Sequence, residues 1–267
     1  MRKIILLFSV MLMFGSGNTQ ALIFNSDGTI DGGTYSDVTI ESTATVDMTA
    51  GTVETMLITQ LGNLNFYGGT IQDEISLQDS GTLNLEGANF QGTQGIWMYD
   101  SSLFNLNSGS FTGTLDLSNF VNVNVNGGQI INGLLNSNFY AITDIYDGDS
   151  DWDNAWIGQF STLNIYGGNV TWSNISISQS AMLNIYGGDI IFPNGFNLQD
   201  DAQINVYYSD VIYHEYDPFI IGYYLLDGSE FMLDQFSPSE IDQINFVPEP
   251  TTFLMLCLGA IALRKKQ

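Results

Sequence analysis

Carboxylates are the groups in this chain best suited to chemistry, and they are densest in Asp147-Gly148-Asp149-Ser150-Asp151-Trp152-Asp153. Carboxylates on alternate residues of a flexible loop suit Ca²⁺, which takes about six to eight oxygen ligands. Asp147, Asp149, Asp151 and Asp153 are therefore the candidate metal ligands, with Ca²⁺ as the only cofactor in view. The segment departs from an EF-hand loop. Counted from Asp147, the sixth place is Trp152 where glycine is needed, and the twelfth is Gly158 where glutamate is needed. The Gly-Gly-x-Gly-x-Asp nonapeptides of calcium-binding β-rolls are also missing. Without nearby His or Cys there is no transition-metal site. A solvated loop between structural repeats accounts for the same residues.

Two carboxylates can also hydrolyse a glycoside, and Asp200-Asp201 is the adjacent pair. No His or basic partner lies near it, so it reads as a solvated turn. A Ser–His–Asp arrangement would have to use His214, the single histidine, which stands beside Glu215 in an aromatic stretch. There it reads as structural or exposed. Of the 29 Asp and Glu residues all but Glu249 lie between positions 22 and 247, a stretch with no Lys or Arg. That balance disfavours nucleic acid, acidic polysaccharide and anionic lipid as partners. It also removes the basic group that a lyase of uronic acids uses to abstract a proton or neutralise the substrate. No residue is assigned a catalytic role, and the chain is expected not to be an enzyme. The alternative is a carbohydrate-binding β-helix, or one that degrades polysaccharide with carboxylates alone.

These groups are carried by a repeat. The pattern apolar–Asn–apolar–any, followed by a small pair, recurs every 18 to 21 residues. It reads Leu64-Asn65-Phe66-Tyr67-Gly68-Gly69 and Leu83-Asn84-Leu85, then Phe104-Asn105-Leu106 and Val123-Asn124-Val125. It appears in full at 163–168 and 183–188, around Asn164, Tyr166, Asn184 and Tyr186, and more weakly at Ile204-Asn205-Val206. Val46-Asp47-Met48 and Thr143-Asp144-Ile145 carry Asp instead. Self-similarity at this period marks a solenoid, and apolar–polar alternation marks half-buried strands. Further apolar residues follow each small pair, at Val53, Ile71, Phe111, Ile130, Val170, Ile190 and Val211. The fold class is therefore all-β, a single-stranded parallel β-helix over 22–211. Glycines are expected to turn the corners, because φ > 0 costs them nothing. The aromatic region 212–246 departs from the pattern and reads as a C-terminal cap, with Phe219 to Leu226 as its strand. Asn65, Asn84, Asn105, Asn124, Asn164, Asn184 and Asn205 would form an outward row beside Tyr67, Tyr166 and Tyr186. Such a row is an amide ladder along the axis, or a stripe on which sugars stack and hydrogen-bond.

All five basic residues sit at the two ends. Residues 1–21 have the layout of a secretory signal peptide: Arg2-Lys3, an apolar run from Ile4 to Phe14, and a small-residue site with cleavage after Ala21. The far end, 247–267, runs from Val247-Pro248-Glu249-Pro250 through apolar Thr251–Leu263 to Arg264-Lys265-Lys266. This order resembles the PEP-CTERM sorting signal, in which Pro248, Glu249 and Pro250 would be the sorting box. The resemblance implies a Gram-negative exported protein held briefly in the inner membrane through Thr251–Leu263. An exosortase would then process it near the box, and its destination would be the cell surface or extracellular matrix. The basic cluster is expected to stay cytoplasmic. The lone cysteine, Cys257, lies in that tail, so no disulfide braces the exported part. A non-enzymatic surface or matrix protein with a structural or adhesive role follows, with extracellular polysaccharide as the partner in view.

Overall fold

A computed structural model describes residues 20–213, 220–233 and 236–249. Expectations for positions 1–19, His214, Glu215, Phe219, Pro250 and Thr251–Leu263 fall outside these. The described chain is a parallel β-solenoid of about nine turns. One coil shows how it is built. Strands Thr162–Ile165, Asn169–Trp172 and Ile175–Ile177 occupy successive sides. The next coil repeats them as Met182–Ile185, Asp189–Ile191 and Phe196–Leu198. Every pairing is parallel and in register: Leu163 lies on Leu183, Asn164 on Asn184, Val170 on Ile190 and Ile175 on Phe196.

Alternation along each strand turns one set of side chains inward, where identical positions stack from coil to coil. Val46, Leu64, Leu83, Phe104, Val123, Leu163, Leu183 and Ile204 form one such column, each at most 1% exposed. Fully burying a side chain of this kind is worth about 1.5–3 kcal/mol. A single coil leaves both of its faces wet, so the gain is realised only in the stack. The largest core groups, Trp152 and Trp172, lie in register, and Trp172 stacks on Phe192 with ring centroids 5.6 Å apart. Gly133 lies in register with Trp152, and a Cβ there would come within 2.7 Å of the indole. The coil of residues 142–157 also carries polar groups inward: Thr143 and Ser150 are buried in otherwise apolar columns.

Two of the corners turn the chain in different ways. At one, stacked glycines take positive φ as expected. Gly168 has φ +84, and a Cβ there would lie 2.6 Å from the carbonyl oxygen of Gly148 one rung away. The other puts residues other than glycine in the left-handed region: Phe139, Tyr140, Gln159, Phe160, Gln179 and Ser180 all have φ between 49 and 66. Bulky residues there are strained.

The acidic segment is not the flexible loop expected of it. Asp149 to Asp153 belong to the strand Asp149–Ile157, whose register shifts beside Trp152, because Ser150 and Trp152 supply inward side chains at the strand period. Val211, expected in the core, is half-buried and pairs antiparallel with Tyr223.

At the front, strand Gln20–Phe24 holds Ala21, and Leu22, Ile23 and Phe24 pair with Val38, Thr39 and Ile40. Gln20 pairs with Tyr35 as well, so the expected cleavage after Ala21 would remove that pair and leave Leu22 to Phe24 in the ladder. At the back, Gln203–Tyr213 forms a hairpin with Ile220–Leu225 and then Glu230–Met232. Phe192, Phe196, Phe231 and Phe236 close the core end. The short helix Pro238–Ile241 is tied down by Glu240, whose carboxylate accepts from the Ser237 hydroxyl and main chain. Those bonds, with one from the Phe196 amide, hold its pKa below the ordinary carboxylate range. The strand expected over Phe219 to Leu226 is present as Ile220–Leu225. The span 212–246 is not all cap, however, because Ile244–Pro248 returns to the stack as a further parallel rung on Ile204–Tyr208. No helix among the described residues is long and apolar enough to cross a membrane.

Candidate functional site

The outward flank beside the first strand of each coil collects the Asn and Tyr residues singled out by the repeat. Register puts the amides one above another, and each donates Nδ2–H to the side-chain oxygen of the coil before it. Asn65 donates to Asp47 (2.8 Å), Asn84 to Asn65 (2.9 Å), Asn105 to Asn84 (2.7 Å) and Asn124 to Asn105 (2.8 Å). A second run has Asn164 donating to Asp144 (2.7 Å), Asn184 to Asn164 (2.8 Å) and Asn205 to Asn184 (2.8 Å). Asn245 then donates to Asn205 at 3.2 Å. The row is thus two ladders of one polarity, each starting on an aspartate. A carboxylate can only accept, so it fits the first place of a ladder and no other. Asn84 also donates to Asn63 (3.0 Å); each of the other ladder amides keeps a second N–H and a second lone pair.

Two residues further along each strand runs a second column. Asn107 donates to Glu86 (2.6 Å) and Asn126 to Asn107 (2.8 Å). Above them Tyr146, Tyr166, Tyr186 and Tyr207 stack with ring centroids 4.9, 4.9 and 4.3 Å apart and planes within 13°. Tyr67 lies in the same column but below Glu86, Asn107 and Asn126, so it is not part of the stack. The sequence reading had Tyr166 and Tyr186 but missed Tyr146 and Tyr207. Both stand two places after the Asp or Asn of their repeats, a signal available in Asp144-Ile145-Tyr146 and Asn205-Val206-Tyr207. Asn245 was missed likewise, although Ile244-Asn245-Phe246 fits the pattern.

Stacking changes what this column offers. The ring faces cover one another, so along the column a sugar meets ring edges and hydroxyls, not open aromatic planes. Burial raises the Tyr146 and Tyr166 phenols above their ordinary pKa, and the Asp144 charge raises them further. Burial and the neighbouring Tyr207 hydroxyl push Tyr186 up to about 12. These phenols are neutral donors at physiological pH. With one rung roughly every 4.8 Å, the flank is a periodic lattice of amide and phenol groups.

A second ridge went unread in the sequence. At the corner after the third strand Phe120, Tyr140 and Phe160 stack at 5.3 Å intervals while 63, 51 and 55% exposed. The stack helps offset the strain at Tyr140 and Phe160.

The proposed calcium ligands are not brought together. Asp149, Asp151 and Asp153 point to solvent from one strand at the two-residue period, about 7 Å apart. Asp149 accepts from Asn169 (2.7 Å) and Asp147 from the Gly148 amide (2.8 Å). No group of three or more His, Cys, Asp or Glu side chains converges among the described residues. Asp200 and Asp201 are exposed at a turn. Burial raises the Asp116 carboxyl, in register with Trp97 and Asn136. A concavity of about 300 Å³ lies along Asp37, Thr55, Glu74 and Gln78. The Thr55 hydroxyl donates to Asp37 there (2.8 Å) and holds that carboxyl below its usual range.

Pro248 and Glu249 of the proline box sit on the closing rung Ile244–Pro248 and just after it. The PEP-CTERM protein-sorting motif matches residues 246–266, one residue earlier than the sequence reading placed it. The match marks an exported protein sorted toward the cell envelope or surface by an exosortase-type system. No curated protein and no solved structure matches the chain.

Proposed function

We propose that this protein is a non-enzymatic, rod-like component of the cell surface or extracellular matrix, with a structural or adhesive role. The sorting motif on a solenoid with a hydrogen-bonded outer flank carries this reading. The rod is stiffened along its axis by backbone pairing, amide ladders and stacked phenols. Its adhesive capacity lies in the donors and acceptors that the flank repeats at each rung. The acidic surface directs that capacity toward neutral rather than acidic polysaccharide. On this reading Thr251–Leu263 anchors the chain transiently in the inner membrane until the exosortase acts.

The test combines cell fractionation, mass spectrometry of both termini, and a panel of neutral and acidic glycans. The expected result is a surface or matrix protein that begins near Leu22, is processed near the proline box, and is retained by neutral glycan without product. Accumulation in the cytoplasm would overturn the destination. Glycan cleavage lost with Asp37→Asn or Asp116→Asn would replace the structural reading with a carboxylate-only enzyme.

A further inference from the structure

The proline box has a place in the fold as well as in sorting. Ile244, Asn245, Phe246, Val247 and Pro248 lie in register on Ile204, Asn205, Val206, Tyr207 and Tyr208. Asn245 extends the amide ladder (3.2 Å), and Phe246 stacks on Tyr223 with centroids 4.2 Å apart. The Glu249 amide donates to the Tyr208 carbonyl at 2.8 Å. Along a strand, successive residues turn their N–H and C=O to opposite sides. Since Glu249 faces the rung below, so do Val247 and Asn245, while Pro248, Phe246 and Ile244 face the open side. Among the described residues this strand pairs with nothing else. Proline has no N–H, and here the missing donor costs the fold nothing while denying a hydrogen bond to any further strand.

We infer that Pro248 and Glu249 have a second function. With Ile244–Val247 they close the solenoid as its last rung, and Pro248 stops the exposed edge from pairing with a second copy of this chain. An open parallel edge with a regular amide row is a template for end-to-end association. The same dipeptide therefore serves sorting and keeps the rod discrete.

The test uses the full chain in detergent at a fixed detergent-to-protein ratio. Hydrogen exchange is expected to be as slow at Asn245, Val247 and Glu249 as at Asn205. Exchange at Glu249 as fast as in an unstructured peptide would overturn the closing rung. Pro248→Thr restores an outward N–H and is expected to produce concentration-dependent association by sedimentation, where the unaltered chain shows none. Sedimentation identical to the unaltered chain would overturn the edge-stop. Asn245→Pro removes an N–H that faces the rung below. It is expected to speed exchange at Glu249 and, by opening the Ile204–Tyr208 edge, to promote association as well. If that variant does not fold, the exchange of the unaltered chain and the behaviour of Pro248→Thr decide the matter.

Discussion

Asn124 and Asp144 lie side by side on neighbouring rungs, yet neither donates to the other. The Asn124 amide donates away, to Asn105 at 2.8 Å. Asp144 presents only acceptors to the Asn124 oxygen and receives its own bond from Asn164 at 2.7 Å. The break between the two ladders is set by the chemistry of one side chain, since the backbone register runs straight through it.

Asp144→Asn supplies the missing donor. It is expected to fuse the ladders and stabilise the fold by about 1 kcal/mol, roughly 2–4 °C in Tm for a domain of this size. Asp47→Asn, at the start of the first ladder, offers nothing to a preceding amide and should give no comparable gain. Thermal unfolding followed by circular dichroism compares the two.

Asn184 is the least exposed ladder amide at 8%. Asn184→Ala strands the Asn164 oxygen and the Asn205 amide together, at a cost of about 2 kcal/mol. A lower urea midpoint with an unchanged slope is the expected outcome. An unchanged midpoint would show that water replaces the ladder freely.

Gly168 and Gly32 separate corner glycines from incidental ones. Gly168→Ala meets positive φ and the Gly148 carbonyl, whereas a Cβ on Gly32 meets nothing within 4 Å. The first should cost on the order of 2 kcal/mol and the second stay within about 0.5 kcal/mol. Denaturant titration of both variants checks the difference.

The tyrosine stack makes stability depend on pH at the alkaline end. Tyr186 has its folded pKa raised from 10.0 to about 12. The folded state therefore holds its phenolic proton more tightly than the unfolded chain does. The resulting stabilisation is complete below pH 10 and is lost as pH climbs toward 12. Ultraviolet titration of phenolate should show a late-ionising tyrosine. Tyr207→Phe, which removes the neighbouring hydroxyl, should bring that ionisation to lower pH.

Much of this was legible in the residues because a solenoid writes its geometry into its period. Leu163-Asn164-Ile165 and Leu183-Asn184-Ile185 announce one buried column and one outward row without reference to anything distant. Other features were hidden by local chemistry that points elsewhere. Tyr140 and Phe160 occupy a left-handed corner that intrinsic preference assigns to Gly or Asn, so their stack did not show. Asp149, Asp151 and Asp153 looked like a loop because acidic residues disfavour strands, but Trp152 and Ser150 turn inward and hold the strand. Asn245 was obscured by the hairpin and short helix that separate it from Asn205.

By itself the chain determined its period, its inward and outward faces, its acidic passenger and the sorting signal at its end. Each is a property of residues near one another in sequence, where alternation and charge act directly. Only the tertiary structure decided the polarity and the break of the amide ladders, the mutual covering of the tyrosine rings, and the return of Ile244–Pro248 as the closing rung. Those depend on which atoms meet across rungs about 20 residues or more apart, and a hydrogen bond or a ring stack exists only once the partner's orientation is set.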